Sequence, residues 1–238
     1  MLDDSILHEL NDAIEAEVQR RSDELRRALL NSVSHELRTP LASIVASAGS
    51  LRQSDVEWSE GEQAEFAQAI EDEALRLNRL VGDLLDLSRI ESGTLRPEKG
   101  WYDVGALIDD VVGRLRSSSD RQVDVAVQDD LPPVSLDYVE IDRVLTNLIE
   151  HAIGRAPNGN AIAVRACIEG EALRIDVIDS GPVVEDAVLA RLFEVFARPD
   201  AVGFGLAVAR GLVEAHGGQI WAANRAEHGL QVSFTLPL

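Results

Sequence analysis

Ser34-His35-Glu36-Leu37-Arg38-Thr39-Pro40-Leu41 puts an imidazole, a carboxylate and a hydroxyl on one short stretch. A neutral imidazole nitrogen is a competent nucleophile toward phosphorus. A carboxylate next to it can take or hold the proton on the other nitrogen, and a hydroxyl one helical turn away can position a water for the reverse hydrolysis. Val33 and Leu37 lie on an apolar stripe, and His35 is two residues from each. At ~100° per residue that is about 200° around a helix, so His35 is expected to face solvent with Thr39 one turn along the same face. Pro40 has no N–H, so the Glu36 carbonyl loses its helical partner. The stripe nevertheless continues through Leu41, Ile44 and Ala48, so the helix is expected to kink beside His35 rather than end there. Taken alone, His35 is more simply a surface histidine; the full octet on one helix asks for a chemical account.

A second set of residues suits an anionic ligand. Asp179-Ser180-Gly181 directly follows the strand-like run "LRIDVI", and a carboxylate at a strand end can accept a hydrogen bond from an exocyclic amine. "GFGLAVAR" sets Gly203 and Gly205 just before a helix, whose N-terminal N–H groups can cradle phosphates. Asn147 and His151 stand i, i+4 on one helix face, within reach of one metal–phosphate group. Each signal is weak singly: glycine turns before helices are commonplace, and Asn147 and His151 are by themselves an ordinary amide and histidine. Phe193 and Phe196 read as core or lid packing, and Cys167 as a small core residue.

These residues need elements to hold them. Residues 1–52 read as one helix, with Leu7, Leu10 and Ile14 at coiled-coil-like spacing and Leu30, Val33, Leu37, Leu41, Ile44, Ala48 and Leu51 following at steps of three or four. That helix would be about 75 Å long at ~1.5 Å per residue, more than a globular core needs. A loop ends near Ser59, a capping residue. Residues 62–91 are helical again, and Gly93 and Pro97 end them. One hairpin cannot cover two wide apolar faces, whereas two hairpins can as a four-helix bundle, so a homodimer is expected. Beyond Trp101 the pattern is mixed. Helices are expected at 104–115, 137–155 and 205–216, and strands at 122–128, 161–168, 172–178, 219–224 and 230–236. There is no regular βαβ alternation, so this half is α+β.

Composition narrows the function. The 238 residues are 45% hydrophobic but only 4% aromatic, so aliphatic side chains must build the core. Forty-two acidic against 22 basic residues give a net charge of −20, which argues against nucleic acid as a partner. One cysteine allows no intrachain disulfide and fits a reducing compartment. No run of 18 apolar residues spans a membrane, and the acidic opening Met1-Leu2-Asp3-Asp4 is unlike a signal peptide. The expectation is a cytoplasmic segment, with membrane or sensor parts only in a preceding stretch of a longer protein.

Together the motifs resemble the sensor histidine kinases of two-component systems. "SHELRTPL" resembles their H box, "NLIEHA" (147–152) the N box, "DSGP" (179–182) the first glycine box, "LFEVF" (192–196) the F box and "GFGLAVARGLVEAHGG" (203–218) the second glycine box. Their order and spacing match over roughly residues 22–238, and "GWYDVGALIDDVV" and "IWAANR" are most similar to the KdpD-type subgroup. The resemblance implies a coiled-coil signalling helix (1–24), a dimerisation and histidine phosphotransfer domain (25–95) forming a dimeric four-helix bundle, and a catalytic α+β ATP-binding domain of the GHKL (Bergerat) type (101–238). It implies His35 as phosphoacceptor, Glu36 as its acid/base partner and Thr39 as the residue tied to dephosphorylation of a response regulator's receiver domain. Asp179 would recognise adenine and Asn147 would help hold Mg²⁺. His151, Arg155, Gly181, Gly203, Gly205 and Leu206 would complete the ATP site. The departures are specific. His151 replaces a metal-binding Asn, and imidazole suits Mg²⁺ poorly. Gly154 replaces a Lys, with Arg155 adjacent to supply the charge. Val183 and Ala201 replace glycines, and the lid is only Ala197–Val202. The alternative these departures support is a pseudokinase scaffold with impaired ATP binding.

Overall fold

A computed structural model describes Arg20 and residues 33–34, 36–53, 55–118, 122–157, 161–195, 204–226 and 228–238. His35, Phe196, Gly203, the segment 197–202 and, apart from Arg20, the expected coiled coil lie outside the described residues.

Helix α1 covers residues 36–51 and runs through Pro40, which is buried; the uninterrupted stripe rather than the proline decides that the helix goes on. Trp58 folds the following turn back, its indole N–H donating to the Ser50 carbonyl at 2.8 Å while its ring meets Phe66 edge-on at 5.0 Å. Helix α2, Glu60–Glu91, starts with Ser59 as expected. The Ser59 hydroxyl accepts from the Glu62 N–H at 3.3 Å, and the Glu62 carboxylate accepts from the Ser59 N–H at 2.8 Å and from its hydroxyl at 2.7 Å. This reciprocal capping box satisfies two otherwise orphaned donors, and those hydrogen bonds hold the Glu62 carboxyl below its ordinary value. The exit of α2 is equally well defined. Gly93, at φ +62°, lets Thr94 N–H reach Arg89 O and Gly93 N–H reach Ile90 O, both at 3.0 Å.

The rest of the chain is an α+β sandwich: β1 (Gly100–Tyr102), α3 (Val104–Ser118), β2 (Val123–Val127), β3 (Val134–Leu136), α4 (Tyr138–Arg155), β4 (Ile162–Glu169), β5 (Ala172–Ile178), α5 (Asp186–Leu189), α6 (Gly205–Ala215), β6 (Gln219–Asn224) and β7 (Leu230–Pro237). Strands β2-β4-β5-β7-β6 form one sheet in that order, with β2–β4 parallel and the other pairs antiparallel. Strands β1 and β3 make a separate antiparallel pair. The sequence did not suggest β1, β3 or α5, since three or four residues carry no readable period. Helix α3 also extends past the expected 115 to Ser118.

One sheet face carries Ile162, Val164, Ala166, Leu173, Ile175, Val177, Val232 and Phe234, all buried. From α4, Ile141, Val144, Leu145, Leu148, Ile149 and Ala152 are buried with them, the stripe legible in the sequence. Cys167 corrects an expectation. It is only half-buried, because strand alternation puts Ile162, Val164 and Ala166 in the core and turns Cys167 to the opposite face, across from Arg174.

Two compact units divide the chain, Met1–Leu80 and Val81–Leu238, and the division falls inside α2. Within the second unit the end of α2 lies on α4. Arg143 Nη2 donates to Asp83 Oδ1 at 2.9 Å and Arg143 Nη1 meets Asp86 Oδ2 at 2.5 Å.

Candidate functional site

Helix α4 is the beam of the site, and Asp137 fixes its start. One carboxylate oxygen of Asp137 accepts from the Val139 and Glu140 N–H groups, the other from the Glu98 N–H at 2.8 Å. The Asp137 N–H itself donates to Nε2 of His216 at 3.0 Å, and His216 Nδ1 meets the Leu212 carbonyl at 2.8 Å. A ring nitrogen that accepts and another that donates define a neutral imidazole. Burial, and Lys99 nearby, push its pKa below the ordinary value. Glu140 Oε2 is 3.7 Å from His216 Nδ1, within ion-pair reach, yet Nδ1 is committed to Leu212. Burial, with the Asp137 and Asp86 carboxylates, pushes the Glu140 carboxyl up to about 7 against the pull of Arg89. Burial thus favours the neutral form of both groups.

Asn147, His151 and Arg155 follow at four-residue steps along α4, a single face spanning about 12 Å at ~1.5 Å per residue. At one end Asn147 Nδ2 donates to the Gly205 carbonyl at 3.0 Å, at the first residue of α6. A Cβ on Gly205 would stand 3.1 Å from the Asn147 side chain, so glycine suits this approach. Leu206, the next residue of α6, is half-buried, as is His151.

At the other end lies Asp179, 3% exposed, just past β5. Its Oδ1 accepts from the N–H groups of Gly181 at 2.7 Å and Leu230 at 3.1 Å, and its Oδ2 accepts from Arg155 Nε at 2.9 Å. Arg155 Nη2 donates further to Pro182 O at 2.5 Å. The expectation that Arg155 supplies charge in place of a lysine thus meets a guanidinium committed to Asp179, away from Asn147. Gly181 is packed so that a Cβ would lie 2.6 Å from the Arg155 carbonyl oxygen. Two residues the sequence reading passed over complete this end. Asn224 grips Val184 both ways, accepting from its N–H at 2.9 Å and donating to its carbonyl at 2.7 Å. Gly229 donates to the Gly181 carbonyl at 2.8 Å. Their only sequence signals are a glycine in a strand connection and a strand-end amide.

The structure thus brings Asn147 to Gly205, and Arg155 to Asp179 and Gly181. Glu36, half-buried, and Thr39, exposed, stand on α1 in the other unit. A divalent cation fits one end only. Among the described residues no group of three or more His, Cys, Asp or Glu converges on a metal-sized position. The Asn147 amide, held through Nδ2, presents Oδ1 as one hard ligand. Mg²⁺ takes few protein oxygens and fills the rest of its shell with phosphate and water, so a single amide oxygen fits an ion arriving on a polyphosphate.

Family models match both halves of the chain: the His Kinase A (phospho-acceptor) domain over residues 25–93, and the histidine kinase-, DNA gyrase B-, and HSP90-like ATPase over residues 136–238. The sensor protein KdpD of Mycobacterium tuberculosis is 40% identical over 239 residues, covering 94% of this chain and 27% of the relative. This chain therefore spans about a quarter of that relative's length. Full-length ShkA in complex with AMPPNP is 25% identical with a TM-score of 0.65, over 88% of this chain and 45% of that one. Histidine kinase ThkA in complex with response regulator protein TrrA has the same fold, with a TM-score of 0.68 at 22% identity over 96% of this chain and 66% of that one.

Proposed function

The chain belongs to the sensor histidine kinases of two-component systems, and from that premise we propose that it moves the γ-phosphoryl group of ATP to His35 and then to an aspartate on a response regulator. An imidazole nitrogen of His35 attacks the γ-phosphorus as the bond to the ADP oxygen breaks, and Glu36 takes or holds the proton of the other nitrogen. An aspartate oxygen of the regulator then displaces the imidazole. Thr39, four residues on from His35 in sequence, positions a water for hydrolysis of the phosphorylated regulator.

The observation that carries the ATP-binding half is the α4 face. An amide stands at one end against the first residue of α6, and a buried carboxylate at the other, about 12 Å away. The polyphosphate belongs at Asn147, Gly205 and Leu206, to which the family resemblance adds Gly203, and the base belongs at Asp179 and Gly181. His151 stands between. Mg²⁺, when bound through Asn147 Oδ1, neutralises charge on the phosphates.

On this reading residues 25–95 pair with a second copy into a four-helix bundle, 101–238 form the catalytic domain and 1–24 lead in from a sensor. Among the described residues no helix is long and apolar enough to cross a membrane, and we assign the segment to the cytoplasm. Incubation with γ-labelled ATP and Mg²⁺ or Mn²⁺ tests the reaction. Label is expected on the wild type and absent from His35→Gln; an unlabelled wild type under both metals overturns the proposal. A second reading, a scaffold that binds ATP poorly, is favoured by one observation: the protein itself already fills every contact of Asp179 described above.

A further inference from the structure

We infer that Arg155 is a self-occupying guard on the base end of the nucleotide site. Its guanidinium holds the carboxylate oxygen of Asp179 that a purine's exocyclic amine would need, so nucleotide binds only in molecules where Arg155 has turned away. The inference rests on the assignment of Asp179 to the base.

Asp179 Oδ1 is saturated by two backbone N–H groups that also fix the turn after β5, so it has no capacity to spare without unmaking the fold there. Oδ2 is the oxygen that a ligand can claim, and its partner is a side chain, Arg155 Nε at 2.9 Å. Side chains exchange by rotation, whereas backbone partners do not. The guanidinium is also anchored on the Pro182 carbonyl, so it bridges the end of α4 to the loop after β5 and covers the carboxylate. The side chains of Arg155 and Asp179 are 12% and 2% exposed; a base cannot approach Oδ2 while the bridge stands. A charge-assisted, nearly buried pair is stronger than the neutral N–H···O bond from an amine that would replace it, so the closed arrangement dominates without ligand. The apparent dissociation constant then rises as the open fraction falls. This guard acts at the base alone, because Asn147, with Gly205 against it, stands two turns back along α4, about 12 Å from Arg155.

Calorimetric titration of the full chain with Mg²⁺ present tests this, using AMPPNP and, as a ligand with no base, inorganic tripolyphosphate. Arg155→Ala and Arg155→Gln should each tighten AMPPNP about tenfold, equivalent to ~1.4 kcal/mol, and leave tripolyphosphate unchanged. Equal or weaker AMPPNP binding by both variants overturns the inference, as does an equal gain for tripolyphosphate, which would mean general loosening. Asp179→Asn added to Arg155→Ala separates the premise from the inference. A loss of AMPPNP affinity there, with no gain from Arg155→Ala alone, leaves the base assignment standing and removes the guard. No loss there removes both. If neither Arg155 variant folds, the wild-type Arg155 Nε–H resonance decides. A large shift and faster solvent exchange on adding AMPPNP support the guard, and an unmoved signal overturns it.

Discussion

Glu140 and His216 make stability depend on pH in opposite senses. The Glu140 carboxyl titrates near 7 in the folded chain against an ordinary value of 4.5. Between those values the unfolded chain has already released this proton, so stability falls as pH rises through the window and levels off above 7. His216 is depressed below its ordinary 6.5, so its contribution is lost as pH falls below that value. Replacing Glu140 with Gln removes the charge that burial penalises. It should raise stability by about 1–3 kcal/mol at pH 8, short of the full shift because the carboxyl is partly solvated, and change little at pH 4. Urea melts at the two pH values check this, and an equal effect at both would contradict it. Gly229 is a second single-residue test. At φ +97° a Cβ would lie 2.1 Å from the Asp179 carbonyl oxygen, so Gly229→Ala should cost more than about 2 kcal/mol and weaken AMPPNP binding with it. At this scale the sequence showed which residue types were present but not whom they meet. Arg155 and Asp179 are separated by 24 positions, and no period links them. His216 read as the end of a helix, whereas its ring ties that end to the start of α4.

The elements themselves were far more legible. Helix α4 announced itself through six apolar positions at helical spacing, and all six are buried; that Asp137 caps the helix rather than starting it emerged only in the structure. Strands β5 and β6 fall where alternation and flanking turns put them. Strands β1 and β3 were invisible because each is three residues long and gains its order only from the other. The caps are the sensitive points of the helices. Asp137→Ala removes an acceptor serving three N–H groups and should cost about 2 kcal/mol. Ser59→Ala breaks an exposed capping box and should cost about 1 kcal/mol. Thermal melts should rank the two in that order.

At the scale of the whole molecule, apolar surface remains uncovered on the helices. Leu41 and Val45 on α1 are 52% and 63% exposed, and Leu85 on α2 is 58% exposed. Such spacing on adjacent turns suits the proposed pairing of two copies. Val45→Asp leaves the single chain's core untouched, so it should shift the chain from dimer to monomer in sedimentation while the melting of the α+β unit is unchanged. A dimer that persists in this variant would argue against pairing through α1. The match to both family models agrees with a signalling role.

The order of strands in the large sheet has a further consequence for how the molecule is made. Strand β7, which follows the other strands in sequence, is not at an edge but between β5 and β6. Leu230 at its start holds the Asp179 carboxylate, and the turn before it supplies Gly229 to Gly181. A growing chain that has already emerged through every nucleotide motif still lacks the partners that set Asp179 in place. Competence to bind a base therefore arrives only once β7 has joined the sheet, after every nucleotide motif has already been made.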